Sequence, residues 1–414
     1  MASRVQFHEA CNTGKRRTGV LTGMQGETMA TYAGERLIHD TDSHLMEPVD
    51  WLASYADSSV AAKLRDLSLL GGGDAATHEL VEQCWARRDD PEETAKLAAD
   101  VVGGPKGYFA YGSMDAGERV GALDQLGFAT QLVFTTFAHT QFHARGDVDL
   151  AYGGASAHNR GIADFCSVDP RLLGVAFVPL EDPQRTVDCA REAIEVGCKA
   201  AWIPHGVPTS LSPTHPDFDP LWALLSEASV PVLMHLGPNG GNQLPKTYHN
   251  NGRVPGKDFV GGGENMRSKD FLNLYHDAEN LLACMVLDGI FEKFPELRCG
   301  LIELGAGWVP NLLRSLDNSV KAFGRHEPEL AKLTMAPSDY IRRQVRFTPW
   351  HFEDVGWLVS NSGPELFLFS SDWPHPEGGR DPIAEFQASF SAAGLSEGAT
   401  APFWAGNASF LLGV

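Results

Sequence analysis

Length, composition and charge limit the class of protein. The chain has 414 residues, 43% of them apolar, and 33 lysines and arginines against 53 aspartates and glutamates, for a formal net charge of -20. A chain of this size suits one large single-core α/β domain with insertions, or two ordinary domains. The negative charge repels phosphate backbones, so we expect no nucleic-acid partner. No apolar run reaches the roughly 18 residues of a membrane span, so we expect no membrane partner either.

The cysteines and the N-terminal segment indicate the compartment. The seven cysteines contain no CxxC pair, so we interpret them as reduced thiols, several of them in the core, such as Cys189 and Cys284. Residues 1–30 lack the apolar core of a signal peptide. The sequence therefore predicts a cytoplasmic protein with a flexible N-terminal arm over 1–30 and one domain over 31–414.

Residues 36–51, RLIHDTDSHLMEPVDW, predict a strand with an unusual polar face. Asp40, Asp42 and His44 occupy alternate positions, and alternate side chains of a strand share one face. An aspartate and a histidine two residues apart at the end of a strand can begin a metal site on the inner wall of a barrel. The alternative for this stretch alone is a strand end closed by polar turn residues.

The rest of the chain alternates between strand and helix signals. Three of the predicted helices start at an Asp-Pro pair, which supplies a cap and a first-turn proline: Asp182-Pro183, Asp219-Pro220 and Asp381-Pro382. Further buried strands are predicted over 129–137, 173–180, 200–205, 230–235, 298–303, 344–348 and 366–371. Eight strands alternating with helices predict a (β/α)8 TIM barrel.

Two connections are too long for ordinary barrel loops. Residues 53–118 hold helix-compatible pieces broken by glycine clusters, which predicts a helical insertion after the first strand. Residues 236–270 after the fifth strand are rich in Gly, Asn and Pro, which predicts a lid loop over the site.

Ionisable residues are predicted at the carboxyl ends of the strands, where barrel enzymes carry their chemistry. These residues are Asp42, His44, His205, His235, Glu303 and Asp372. Lys199, by contrast, begins the fourth strand and lies at the wrong end to bridge two metal ions. We therefore predict a mononuclear site.

Four of these side chains form the predicted ligand set: Asp42, His44, His235 and Asp372. Imidazole nitrogens with two carboxylates would surround one divalent ion, Zn or Mn rather than Cu, and leave positions for water and substrate. Each residue alone also has a structural interpretation, since a strand-end aspartate can cap a helix and a buried histidine can bond to carbonyls.

Three residues are predicted to act on the substrate. Glu303 is the strongest acid/base candidate, because a carboxylate beside a cation could orient or deprotonate water; its alternatives are holding a ligand or forming a salt bridge. His276 could reach the site from the side of the lid, or could face solvent at a helix start. Asp372 is a candidate both for metal binding and for catalysis. For His205 and His375 we favour a loop-anchoring role.

Several stretches resemble the amidohydrolase-related family that includes aminocarboxymuconate semialdehyde, resorcylate-type and carboxyvanillate decarboxylases. They are DTDSHLMEPVDW, HPDFDPLWALLSEASVPVLMHLG, GIFEKFPELRCGLIELGAGWVPNLL, FSSDWPHPEGG and GNASFLLG. The resemblance implies a mononuclear metal barrel in which Asp42, His44, His235 and Asp372 fall on ligand positions. The chain departs from it in two places, since Asp42 replaces the first histidine of the usual HxH pair and Glu303 replaces the acid/base histidine.

The resemblance favours loss of CO2 from a small carboxylated cyclic or unsaturated substrate. Hydrolysis of a C-C, amide or lactone bond by metal-activated water is the alternative, and a degenerate barrel that binds a ligand without turning it over is a third. The family likeness also predicts a homodimer.

Overall fold

The computed structural model describes residues 31–65, 67, 74–208, 210–237, 244–254 and 268–414. The predicted flexible arm over 1–30 lies outside the described residues. The predicted lid over 236–270 lies partly outside them, since 238–243 and 255–267 are not described.

One parallel sheet organises the described chain. Its seven strands are hydrogen-bonded to one another in chain order. They are β1 (His39–Leu45), β2 (Thr130–Thr135), β3 (Leu172–Phe177), β4 (Ala200–Trp202), β5 (Val232–His235), β6 (Cys299–Ile302) and β7 (Val345–Phe347). Every residue of these strands is buried, as expected for parallel strands covered on both faces.

The eighth predicted strand, residues 366–371, pairs only through single bridges. Phe367 bridges Phe347 of β7, and Trp373, just beyond the segment, bridges Ser43 of β1. The Leu368 N–H donates to the Phe347 carbonyl at 2.9 Å, and the Thr41 N–H donates to the Phe369 carbonyl at 3.2 Å. The segment therefore lies between the last and first strands, which is consistent with a closed (β/α)8 barrel.

The β1–β2 connection is the longest helical connection in the described chain. It contains α1 (Trp51–Tyr55), α2 (Ser58–Ala61), α3 (Asp74–Ala86), α4 (Pro91–Ala98) and α5 (Ala116–Leu126). Backbone hydrogen bonds attach its later part to the sheet, because the Met46 N–H donates to the Ser113 carbonyl at 2.9 Å and the Gly107 N–H to the Pro374 carbonyl at 2.8 Å.

Helices separate the remaining strands and follow the last one. They are α6 (Val148–Cys166), α7 (Pro183–Val196), α8 (Asp219–Glu227), α9 (Ser268–Phe271), α10 (His276–Leu287), α11 (Ile290–Lys293), α12 (Val309–Phe323), α13 (Pro337–Gln344), α14 (Val355–Ser362), α15 (Pro382–Ala392), α16 (Glu397–Ala401) and α17 (Asn407–Leu412). The Asp-Pro signals mark real starts: the Asp182 carboxylate caps α7 by accepting from the Arg185 N–H at 2.9 Å, and Asp381 caps α15 through Ala384 at 3.1 Å.

The cysteines behave partly as predicted. All six that the structure describes are free thiols, and Cys189 is buried in the core. The prediction that Cys284 is a core residue is wrong, because its position on α10 leaves it exposed. Among the described residues, no helix is both long and apolar enough to cross a membrane.

Candidate metal centre

The carboxyl ends of β1, β5 and β6 bring four buried polar side chains together. Asp42 and His44 belong to β1, His235 ends β5, and Glu303 follows β6 directly. One potential ligand atom from each of these four lies within 4.8 Å of the others. The parallel sheet explains this convergence, because the carboxyl ends of its strands share one rim.

Asp42 lies at the centre of this group. Its Oδ1 is 3.3 Å from Nε2 of both His44 and His235. Glu303 Oε2 in turn lies 3.4 Å from Nε2 of His235. Two imidazole nitrogens and two carboxylates thus face a common point.

A second group shares His44 and adds Asp372 and His375. Asp372 Oδ1 is 3.5 Å from His44 Nε2 and 3.0 Å from His375 Nδ1. The rings of His44 and His375 stack with centroids 3.9 Å apart. The four residues predicted as ligands, Asp42, His44, His235 and Asp372, are therefore all brought to one region around His44.

Two of the acidic residues, Glu303 and Asp372, have a strained backbone conformation. Glu303 has φ +56° and Asp372 has φ +49°, a left-handed conformation that is uncommon outside glycine. Such a residue costs on the order of 1–3 kcal/mol, and strain of this kind clusters at active sites. At Glu303 the turn is held because its N–H donates to Thr348 Oγ1 at 2.8 Å.

Asp40 holds the turn before Asp372. Its carboxylate accepts hydrogen bonds from the Ser371 N–H at 2.8 Å, the Ser371 hydroxyl at 2.6 Å and the Gln131 side-chain amide at 2.9 Å. Burial raises the pKa of Asp40 to about 7, although these donors oppose the shift. Asp40 is therefore a positioning residue behind the site.

Local hydrogen bonds and packing orient His235. Its Nδ1 lies 2.8 Å from the Leu236 carbonyl, which assigns the proton to Nδ1 and leaves the Nε2 lone pair facing Asp42. The ring packs against Phe134, with centroids 4.2 Å apart, and against Trp202 at 5.3 Å. This is the arrangement in which a histidine can bind a metal through Nε2.

The electrostatics favour a charged Asp42 beside an uncharged His44. Burial lowers the pKa of His44 well below its ordinary value, and the neighbouring His375 lowers it further. Burial also acts to raise the pKa of Asp42, but His235 and His44 outweigh it, so the Asp42 pKa is lowered. Anionic oxygen and uncharged imidazole are the protonation states that bind a metal.

The residues present fit a divalent ion. Asp42 Oδ2 and both ring nitrogens of His44 are buried and make no hydrogen bond within the described residues. Buried polar atoms of this kind call for a partner, and the carboxylates of Asp42, Glu303 and Asp372 converge on the same region. Mixed nitrogen and oxygen donors suit Mn or Zn.

Other buried histidines surround the site without joining it. Burial lowers the pKa of His139 and His205 to about 3 and that of His158 to about 4. His139 is also placed by the Gly237 carbonyl, 3.2 Å from its Nε2. These rings are uncharged at neutral pH, so they can shape the pocket but cannot serve as strong acids there.

His276 and Lys199 are members of neither group. His276 is the first residue of α10, is half-buried, and stacks on Tyr275 with ring centroids 4.5 Å apart. Lys199 is exposed immediately before β4, at the amino end of the strands. Lys199 is thus placed where the sequence predicted it.

The structure adds His375, for which the sequence favours a loop-anchoring role, to the surroundings of His44. Its ring is fully buried, stacks on His44 and contacts Asp372. The signal was present in the spacing of Ser371, Asp372 and His375, which puts a histidine three residues after a strand-end aspartate. Asp40 carried a similar signal, since it shares the alternation of Asp42 and His44.

Comparisons with solved structures show a shared fold at low identity. An amidohydrolase from Mycobacterium avium subsp. paratuberculosis K-10 aligns with TM-score 0.69 and 22% identity, covering 91% of this chain and 99% of its own. The 5-carboxyvanillate decarboxylase of Sphingomonas paucimobilis aligns with TM-score 0.56 and 18% identity, covering 92% and 100%. A dihydroxybenzoic acid decarboxylase from Polaromonas sp. JS666, solved with bound manganese and an inhibitor, gives TM-score 0.56 and 18% identity, covering 91% and 97%.

The family itself is shown by sequence. No curated protein matches the chain. The family profile described as Amidohydrolase, however, matches residues 34–414, which includes all the strands and every residue of the two buried groups. The chain therefore belongs to the amidohydrolase family.

Proposed function

We propose that this protein is a mononuclear, divalent-metal-dependent carboxy-lyase that removes CO2 from a small carboxylated cyclic or unsaturated substrate. The observation that carries the proposal is the buried group of Asp42, His44, His235 and Glu303, with Asp372 joined to it through His44. The named functions of similar structures support it, because two of them are decarboxylases of carboxylated aromatic compounds.

Asp42, His44, His235 and Asp372 would hold one Mn or Zn ion. Manganese is supported by its presence in the Polaromonas decarboxylase and by the two carboxylates of the proposed donor set. A bound divalent ion would withdraw electron density from the substrate oxygens that it holds and, in a hydrolytic reaction, would lower the pKa of water.

Glu303 is the proposed proton donor. As the C–C bond to the carboxylate breaks, CO2 leaves and the bonding electron pair stays on the substrate carbon. A protonated Glu303 gives its proton to that carbon and becomes a carboxylate, which then takes a new proton from solvent. Its position 3.4 Å from His235 places it beside the proposed ligands, and His276 on α10 is the second candidate for this role.

Apolar side chains on the strands would keep water away from the reacting carbon. Phe134, Trp202 and Phe347 are all buried, and the first two contact His235 from the barrel interior. Because these side chains exclude water, they would strengthen the electrostatic interactions of the substrate with the metal ligands and the proton donor.

Hydrolysis is the second candidate, and one observation favours it. A carboxylate, Glu303, stands at the strand-six position where the decarboxylases that the chain resembles carry a histidine. A glutamate is a good general base for water attack on a carbonyl. Asp372, at the other side of His44, could share that proton.

We further propose a cytoplasmic homodimer. The six described cysteines are free thiols, which supports a reducing compartment. Sedimentation at micromolar concentration tests the assembly, and a single monomeric species would contradict it.

The test of function uses metal-loaded protein in isotopically labelled water. With a panel of carboxylated aromatics, amides and lactones, decarboxylation should release CO2 and put solvent deuterium on carbon, whereas hydrolysis should place solvent oxygen-18 in the product acid. His235→Ala and Asp372→Ala should each lose the metal, measured by mass spectrometry, together with turnover. A wild type that binds no Mn or Zn and turns nothing over would leave the degenerate ligand-binding barrel instead.

A further inference from the structure

A narrow cavity is shared by the metal centre and the loop that follows β7. Asp42, Glu303 and Asp372 of the centre line it, together with Trp350 and His351 of this loop. The room inside is about that of one water molecule, which is too small for a cyclic substrate. The cavity is therefore suited to a water that carries protons.

Two contacts fix this loop beside the residue proposed as proton donor. The Thr348 hydroxyl, directly after β7, accepts from the Glu303 N–H at 2.8 Å. The Glu353 carboxylate accepts from the Trp350 N–H at 2.8 Å and from the Ala306 N–H at 2.9 Å. The loop after β7 is thus held against the turn after β6 that carries Glu303.

The ring of His351 is oriented by Glu385, a residue of α15. Its Nδ1 forms a hydrogen bond with the Glu385 carboxylate. Because a carboxylate accepts in such a bond, the ring proton lies on Nδ1, and Nε2 is left for other partners. Close packing also holds the ring, since a Cβ at Gly379 would lie 2.8 to 3.0 Å from three of its atoms.

Exposure to solvent increases from Glu303 to His351 to Glu385, whose side chains are 1%, 19% and 43% exposed. In the proposed reaction Glu303 takes a new proton from solvent after each turnover, yet its own carboxylate is buried. His351 contacts both solvent and the cavity, and imidazole accepts and donates protons near neutral pH. The geometry therefore offers a route for that proton.

We propose that His351 is a proton relay that returns a proton to Glu303 after each turnover. The inference rests on the proposed function, in which Glu303 gives its proton to the substrate carbon. Solvent protonates Nε2 of His351, and the Glu385 carboxylate stabilises the imidazolium that forms. The Nε2 proton passes to a water in the cavity, and that water gives one of its protons to the Glu303 carboxylate. The net change is the transfer of one proton from solvent to Glu303.

The test separates the first turnover from the later ones, because Glu303 already holds a proton in the first and needs the relay only afterwards. Rapid-quench kinetics in dilute buffer compare manganese-loaded wild type, His351→Asn and His326→Asn. The probe is 2,6-dihydroxybenzoate, or the acid of the panel that wild type decarboxylates fastest. Asparagine can still donate to Glu385 but cannot relay a proton, and His326 is an exposed histidine beyond α12. His351→Gln repeats the measurement should the asparagine variant fail to fold.

His351→Asn should release a burst of about one product per site, followed by a steady-state rate about 100-fold lower than that of wild type, the lower end of what an acid/base side chain contributes. Added imidazole should restore the steady-state rate, because the free base carries protons in place of the missing ring. Wild type and His326→Asn should show neither the burst nor the response to imidazole. The manganese content of all three proteins should be equal.

Three outcomes would overturn the inference and leave the proposed function standing. An equal fall of the first and later turnovers in His351→Asn would make His351 a structural residue of the site. A steady-state rate equal to that of wild type would show that Glu303 recovers its proton without His351. A burst in Glu377→Gln and none in His351→Asn would assign the relay to Glu377, which lines the same cavity. A wild type that decarboxylates no acid of the panel would reject the proposed function together with the inference.

Discussion

Asp40 and Ser371 are joined by two hydrogen bonds, since the Asp40 carboxylate accepts both the backbone N–H and the hydroxyl of Ser371 at 2.8 and 2.6 Å. These residues are far apart in sequence but meet where the last segment of the barrel lies beside β1. Asp372 follows Ser371 directly. The first strand therefore supplies two proposed ligands, Asp42 and His44, and also holds the residue before a third.

Asp40→Asn should weaken metal binding without unfolding the protein. The asparagine side chain would point its NH2 group at Ser371 or Gln131, which now donate to a carboxylate oxygen. The hydrogen bonds that fix Ser371, and with it the turn at Asp372, would then be lost in part. Loss of a group that orients a ligand typically lowers metal affinity about 10- to 100-fold. Free Mn measured by electron paramagnetic resonance during titration gives the affinity. Asp90→Asn, at the exposed N-cap of α4, is the control and should leave the affinity unchanged. Equal Mn affinity in Asp40→Asn and wild type would show that Asp40 serves the fold alone.

Glu303→Gln should separate proton transfer from metal binding. Glutamine keeps the size of the side chain but cannot give up a carboxyl proton, so kcat should fall about 10²- to 10⁴-fold. Manganese content should stay near the wild-type level, because Asp42, His44, His235 and Asp372 remain. Mass spectrometry for the metal and steady-state kinetics make the comparison, with Glu93→Gln as an exposed control on α4. Loss of the metal in Glu303→Gln would instead make Glu303 a ligand.

The sequence predicted the barrel strands and the rim where the buried polar side chains meet, because both depend on local patterns. Seven of eight predicted strands coincide with observed ones, and alternation in residues 36–51 placed Asp42 and His44 correctly. The eighth predicted strand pairs through single bridges only, and its apolar run does not predict this weaker pairing. Hydrogen bonds between distant segments, such as Asp40 to Ser371, depend on how the barrel closes and leave no local pattern.

Glu47→Gln should remove a pH dependence of stability. Burial raises the pKa of Glu47 from 4.5 to about 7 in the folded state, although the N–H groups of Phe137 and Ala138 donate to it. The folded state thus binds the proton more tightly, so the contribution to stability is full below pH 4.5 and is lost as pH rises through 7. Glutamine does not titrate and can still accept these hydrogen bonds. The variant should therefore gain stability relative to wild type between pH 5 and pH 8, by up to about 3 kcal/mol.

Urea unfolding of wild type and Glu47→Gln at the two pH values measures this difference. Asp40, whose pKa is also raised to about 7, contributes to both proteins and cancels in the comparison. A difference in unfolding free energy that stays constant with pH would mean that Glu47 is ionised in the folded protein throughout this range.

Gly378→Ala should damage both stability and the metal centre. A Cβ at Gly378 would lie 2.0 Å from the Ser371 carbonyl oxygen and 3.0 Å from Cβ of Asp372, so the backbone that carries Asp372 must move. Overpacking of this kind typically costs about 1–3 kcal/mol. Gly398→Ala is the matched control, because nothing lies within 4 Å of a Cβ there and alanine should stabilise α16 by up to about 1 kcal/mol.

Urea unfolding with and without Mn tests both effects. We expect Mn to stabilise wild type and Gly398→Ala equally and Gly378→Ala less. Equal stabilisation of all three would mean that the turn at Asp372 adjusts without cost, and that Asp372 does not depend on this close backbone approach for its place among the ligands.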